Sequence, residues 1–113
     1  MIVLIDDIRD IPADLIIRDY FTALRIFDMM DYGNEFIEGL YLDHDLGEDN
    51  PAMNGYKLLS ILLESMQIYP NWIKVVSSNP VGRQNIDRLC EARNYKFNHT
   101  KQQWELKSFG ECQ

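Results

Sequence analysis

Two cysteines among 113 residues are too few to frame a disulfide-rich fold. Cys90 falls in a helical pattern and Cys112 lies one residue from the C-terminal end, so neither reads as half of a bridge. A reducing, cytoplasmic setting is the expectation. Long apolar runs are also missing: Ile2–Ile5 is short, and Asp6-Asp7 stops it. Neither a membrane span nor a secretory leader is expected. Basic residues are scarce, 11 Lys and Arg against 18 Asp and Glu, and the net charge is -7. That excludes a non-specific grip on duplex nucleic acid, which needs a basic surface. A small basic pocket around one phosphate is still compatible with it. No internal repeat or low-complexity linker interrupts the chain.

What is present suits one globular domain over residues 1–107, with a loosely held tail over 108–113. The hydrophobic share of 46% and charged share of 26% are ordinary for such a domain. Ile2–Ile5 has the uninterrupted apolar character of a strand covered on both faces. Leu15–Arg18 reads as a second strand. Asp19 is placed to cap a helix whose apolar face carries Phe21, Ala23, Leu24, Phe27 and Met30, and Gly33 to end it. Ile37–Leu42 and Trp72–Val76 read as further strands. Helices are predicted over 55–67 and 81–93, with Leu58, Leu59, Leu62, Leu63 and Met66 inward on the first. Tyr95–Phe97 and Trp104–Leu106 alternate as a terminal hairpin would. The succession indicates an α/β fold with a mainly parallel sheet and about three helices. About nine residues join the first two strands, fewer than a parallel crossover usually takes, so the direction of the second strand stays open.

Two strands end in acids. Asp6-Asp7 follows Ile2–Ile5, and Tyr-Leu-Asp-His-Asp-Leu-Gly over Tyr41–Gly47 puts Asp43, His44 and Asp45 in a row. Parallel strands open their carboxyl ends on one edge, so these carboxylates would share a small site. Crowded like charges call for a cation, and oxygen ligands suit Mg²⁺, Mn²⁺ or Ca²⁺. If the strand continued, Asp43 and Asp45 would point one way and His44 the other. His44 suits either a proton shuttle or a structural bond to a backbone carbonyl. Ser77-Ser78-Asn79-Pro80 precedes a helix whose N–H groups at Val81, Gly82 and Arg83 could hold a phosphate, with Arg83 adding a charged fork. A plain helix cap is the alternative. Arg9 fits a phosphate clamp or the neutralisation of Asp7, while Arg18 and Arg25 read as surface charges.

The order of elements, the acid pair Asp6-Asp7, Asp43, Gly55 and Ser77/Ser78 resemble a response-regulator receiver domain. The segments Leu4-Ile5-Asp6-Asp7-Ile8-Arg9, Leu42-Asp43-His44-Asp45-Leu46-Gly47, Asn54-Gly55-Tyr56 and Ser77–Arg83 resemble a narrower group, the cyclic-phosphate-processing receiver-like family, over residues 2–90. The resemblance implies a receiver-like, flavodoxin-like fold, here without the first and last receiver helices. It implies action on the cyclic phosphate of a nucleotide or RNA end. Members commonly carry a histidine where Val76 stands. Receivers carry a lysine after the fifth strand, which neither Lys96 nor Lys101 matches well.

The leading expectation is a divalent-metal-dependent phosphoesterase. Asp6, Asp7 and Asp43 would hold Mg²⁺ or Mn²⁺, and His44 and Asp45 would handle protons. Arg9, Ser77, Ser78, Asn79, Gly82 and Arg83 would hold the phosphate. A non-catalytic interaction module that keeps the acidic pocket is the alternative, and a phospho-acceptor receiver modified at Asp43 is the third reading. Without the two receiver helices, one sheet face needs another cover. Candidates are the loop Ile8–Pro12, the segment Trp104–Phe109, a protein partner or a second copy of the chain.

Overall fold

The computed structural model describes residues 1–107; the tail over 108–113, with Phe109 and Cys112, lies outside them. Strand β1 (Ile2–Ile5) leads by a loop to β2 (Leu15–Ile17) and helix α1 (Tyr20–Gly33). Strand β3 (Gly39–Leu42) leads to α2 (Gly55–Ser60), which runs on as a π-helical turn over Ile61–Ser65. Then come β4 (Trp72–Val75), α3 (Pro80–Ala92) and a hairpin of β5 (Tyr95–Asn98) and β6 (Gln103–Leu106).

These strands form one sheet in the order β2-β1-β3-β4-β6-β5. The first four are parallel and follow the flavodoxin-like order. The second strand is therefore parallel despite its short connection. No helix intervenes; the loop Asp6–Asp14 makes the return. It is tied at its far end, where the Ile2 amide donates to Asp14 Oδ2 at 2.6 Å and the Asp14 amide to the Ile2 carbonyl at 2.9 Å. The predicted hairpin joins the same sheet, with β6 antiparallel to β4. It extends the sheet beyond β4, with β5 at the edge.

Local chemistry fixes the helix ends. Asp19 Oδ1 accepts from the Thr22 amide at 2.9 Å and so caps α1 as expected. The end falls one residue later than Gly33: Asn34 takes the left-handed conformation at φ 56°, which asparagine tolerates better than most residues. Asn54 and Asn79 cap α2 and α3 through Lys57 and Gly82.

All three helices lie on one face of the sheet. Val3, Ile5, Ile17, Leu40, Leu42, Ile73 and Val75 are buried there with Phe27, Leu59, Leu62 and Ile86. Side chains alternate along a strand, so Leu4, Ile16, Tyr41 and Lys74, in register across four strands, face the other way. On that second face Leu4 is fully buried and Ile16 is exposed. Trp72 meets Tyr41 edge-on at 5.0 Å between ring centroids. Its indole lies across Gly39, where a Cβ would come within 2.0 Å of it. Trp104 does not help cover this face. Its pairing with Ile73 turns it to the helical side, where Nε1 donates to Asp87 of α3 at 2.8 Å. Ile8 is 77% exposed, so it covers little either. Among the described residues, no helix is long and apolar enough to cross a membrane.

Candidate metal and phosphate site

Register brings the acid tips together. Ile5 pairs with Leu42 across β1 and β3, and the Asp43 amide donates to the Ile5 carbonyl at 2.9 Å. Asp6 and Asp43 therefore leave the sheet side by side, and both are buried. One carboxylate oxygen from each of Asp6, Asp7 and Asp43 lies within 4.8 Å of the others. Asp7 and Asp43 line a cleft of about 320 Å³ with Ile8, Arg9, Asp45 and Ser78, and the fully buried Asp6 adjoins them.

Asp6 is held by its own turn. Its Oδ1 accepts from the amides of Ile8 and Arg9, each at 2.9 Å. Its Oδ2 accepts from Arg9 Nη1 at 2.9 Å. Burial pushes the Asp6 carboxyl up, but these bonds outweigh it and hold the group below the usual carboxylate range. Asp43 goes the other way. Burial and then the charge of Asp6 push its carboxyl up, against bonds from Ser77 and the His44 amide. Two carboxylates crowded in this way fit a hard divalent cation, which favours oxygen ligands and would relieve their repulsion. The triad could hold a metal.

Arg9 is the resident cation of the site. Its Nη1 is also 3.5 Å from Asp43 Oδ2, so it bridges both buried carboxylates. Arg18 fixes the loop behind it: its Nη1 donates to the carbonyls of Asp6 at 3.2 Å and Arg9 at 2.6 Å, and it pairs with Asp10. From sequence alone Arg18 reads as a surface charge. Parallel pairing of Ile5 with Ile17 was the missing signal, since it sets Arg18 beside Asp6.

Beyond Leu42 the chain leaves strand geometry, and the predicted alternation holds only in part. Asp43 and Asp45 both line the cleft. His44 does not line it; its side chain is 13% exposed and packs on Gly82. Yet Asp45 bends back to it, with Asp45 Oδ1 2.9 Å from His44 Nδ1. Asn79 Nδ2 donates to the same carboxylate at 3.2 Å. The bonds from His44 and Asn79 hold the Asp45 carboxyl below its ordinary range. So His44 bonds a carboxylate, not a backbone carbonyl.

The Ser77–Arg83 segment divides by task. Ser77 is buried, bonds Asp43 and accepts from the Asn79 amide at 3.0 Å. Ser78 is the hydroxyl residue that lines the cleft. The Gly82 amide donates to Asn79 Oδ1 at 3.0 Å and the Arg83 amide to the Asn79 carbonyl at 2.9 Å, so two of the three expected phosphate donors already serve the helix. Arg83 lines a separate hollow with Pro80, Val81, Gln84 and Asp87. Two glycines permit these contacts: a Cβ on Gly55 would lie 1.9 Å from the Asp43 carbonyl oxygen, and one on Gly82 would lie 2.2 Å from His44 Cγ. Gly47, at φ 70°, turns the loop against Asp7 in a conformation that favours glycine. Lys96 lies on β5, the far edge of the sheet, and the Lys101 carbonyl accepts from Lys74 Nζ.

No curated protein and no solved structure matches the chain. One family model does, over residues 1–92, and it spans every acid and hydroxyl of the cleft. The protein belongs to the cyclic-phosphate processing receiver domain family.

Proposed function

We propose that this domain is a divalent-metal-dependent phosphoesterase acting on the cyclic phosphate of a nucleotide or RNA end. The observation that carries the reading is the convergence of Asp6, Asp7 and Asp43 at a cleft that Arg9 and Ser78 also line. Asp6, Asp7 and Asp43 would hold Mg²⁺ or Mn²⁺, which when bound supplies Lewis-acid polarisation of the phosphoryl oxygen. Arg9 and Ser78 bind the non-bridging phosphate oxygens. Asp45 faces the cleft, is ionised at neutral pH, and accepts the proton of the attacking water. His44 holds Asp45 through Nδ1. The water oxygen bonds to phosphorus, one ring P–O bond breaks, and the released alkoxide takes up the proton that Asp45 accepted from the water. The product is a phosphomonoester.

The test is turnover of 2′,3′-cyclic nucleotides with Mg²⁺ or Mn²⁺, in the wild type and in Asp43→Asn. Metal-dependent ring opening that the substitution abolishes supports the reading; no turnover with any cyclic mono- or dinucleotide or cyclic RNA end overturns it.

A second reading, a non-catalytic interaction module, is favoured by one departure: Val76 stands where members commonly carry a proton-transfer histidine. A metal-dependent rise in melting temperature without turnover is its signature. Phosphorylation of Asp43 by acetyl phosphate would instead mark a phospho-acceptor.

A further inference from the structure

Arg9 and a divalent ion compete for the same oxygens. Asp6 Oδ1 is committed to two backbone amides, and Asp43 Oδ1 accepts from the His44 amide at 2.8 Å. Arg9 Nη1 sits between the Oδ2 atoms of the two buried carboxylates, at 2.9 and 3.5 Å. A Mg²⁺ ion binds oxygen at about 2.0–2.1 Å. An ion on either Oδ2 would stand within a few ångströms of the guanidinium, a contact between like charges in a poorly solvated place.

We infer that metal binding expels the Arg9 guanidinium from Asp6 and Asp43 and so frees it for the phosphate. The backbone of Arg9 need not move, because its amide is held by Asp6 and its carbonyl by Arg18. Its side chain is 38% exposed and can swing at the cleft mouth. Before the exchange the guanidinium is spent on two carboxylates, and an anion meets mainly acids. After it, the same planar fork is available for phosphate oxygens. Cation and phosphate then bind with positive coupling, and the coupling is reciprocal. Arg9 thereby makes the site respond to metal and phosphate together.

This inference rests on the metal-site reading, and a binding experiment separates the two. Mn²⁺ binding is followed through the EPR signal of the free ion, with and without inorganic phosphate, with a protein-free titration subtracted. Wild type, Arg9→Gln and Asp43→Asn are compared. Arg9→Gln is expected to bind Mn²⁺ about tenfold more tightly than wild type, within the usual span of coupling effects. Phosphate should tighten Mn²⁺ binding severalfold in wild type and clearly less in Arg9→Gln. Asp43→Asn should lose Mn²⁺ binding. Equal or weaker Mn²⁺ binding by folded Arg9→Gln, or a phosphate effect as large in it as in wild type, overturns the exchange and leaves the metal site standing. No Mn²⁺ binding by any form overturns both. Should Arg9→Gln fail to fold, the Arg9 Nε–H resonance of wild type decides. Mg²⁺ must shift it, and an unmoved resonance at saturating metal refutes the exchange.

Discussion

The α-carbon of Gly82 lies under the imidazole of His44, so close that a Cβ there would come within 2.2 Å of Cγ. The ring is the brace of Asp45, so the glycine sets the position of a cleft carboxylate through one intermediary. Gly82→Ala must push the ring aside or shift the start of α3. The expected cost is about 1–3 kcal/mol of stability, the usual range for overpacking. The Asp45 carboxyl, released from His44, should titrate closer to an ordinary aspartate, which side-chain carboxyl NMR would read. Mn²⁺ affinity should stay near wild type, because Asp6, Asp7 and Asp43 are untouched.

Asp43 predicts a trade between site and stability. Burial and the neighbouring Asp6 push its carboxyl up in the folded protein. A group whose folded value lies above its unfolded one stabilises the fold at low pH, and that contribution is lost as pH rises through the folded value. At neutral pH the fold therefore carries ionised Asp43 at a cost. Asp43→Asn should raise the metal-free melting temperature at pH 7 by several degrees, about 1 kcal/mol. The gap over wild type should shrink as pH falls into the carboxylate range. Thermal melts at a series of pH values, in chelator, check this; a lower melting temperature at pH 7 would contradict it.

The cap of α1 gives the opposite pH sign. Bonds from the Thr22 amide and hydroxyl hold the Asp19 carboxyl below its ordinary range. Its stabilisation is full above the unfolded value and is lost as pH falls through the folded one. Asp19→Ala should cost about 1 kcal/mol at pH 7. The difference from wild type should narrow below about pH 4, near the ordinary aspartate value. Denaturant melts at pH 7 and pH 3 measure both.

The fold was legible in the sequence wherever one local signal decided it. Apolar runs ending in acids marked β1 and β3, and the cap at Asp19 marked the start of α1. What the sequence could not show depends on register between distant segments. The direction of β2, the helical-side placement of Trp104 and the task of Arg18 all follow from which residues pair across the sheet. In the site, residue types pointed to the acids that the fold brings together, Asp6, Asp7 and Asp43, because buried strands seldom end in carboxylates. They did not show that Gly82 and Arg83 spend their amides on Asn79, or that Arg9 bridges Asp6 and Asp43. Glu48 also escaped notice, though its carboxylate accepts from the Tyr20 amide at 3.3 Å, a contact across 28 residues that no local pattern encodes.

Arg18 offers the sharpest test of that register argument. Its guanidinium joins β2 to the carbonyls of Asp6 and Arg9 and to the carboxylate of Asp10, so it fixes the turn that aims Asp6 and Arg9. Arg18→Ala leaves those partners to water, since the loop is only partly buried. A stability loss of about 1–2 kcal/mol is expected, in line with losing charged hydrogen bonds. The local effect should be larger than the global one. Amide exchange at Ile8 and Arg9 should accelerate more than exchange in β3, because their bonds to Asp6 Oδ1 depend on the turn. Mn²⁺ affinity should fall severalfold as Asp6 loses its fixed aim. Arg25→Ala, on the exposed side of α1, should change stability by no more than about 0.5 kcal/mol. If the two substitutions behave alike, Arg18 is a surface charge after all and the turn is held by Asp6 alone.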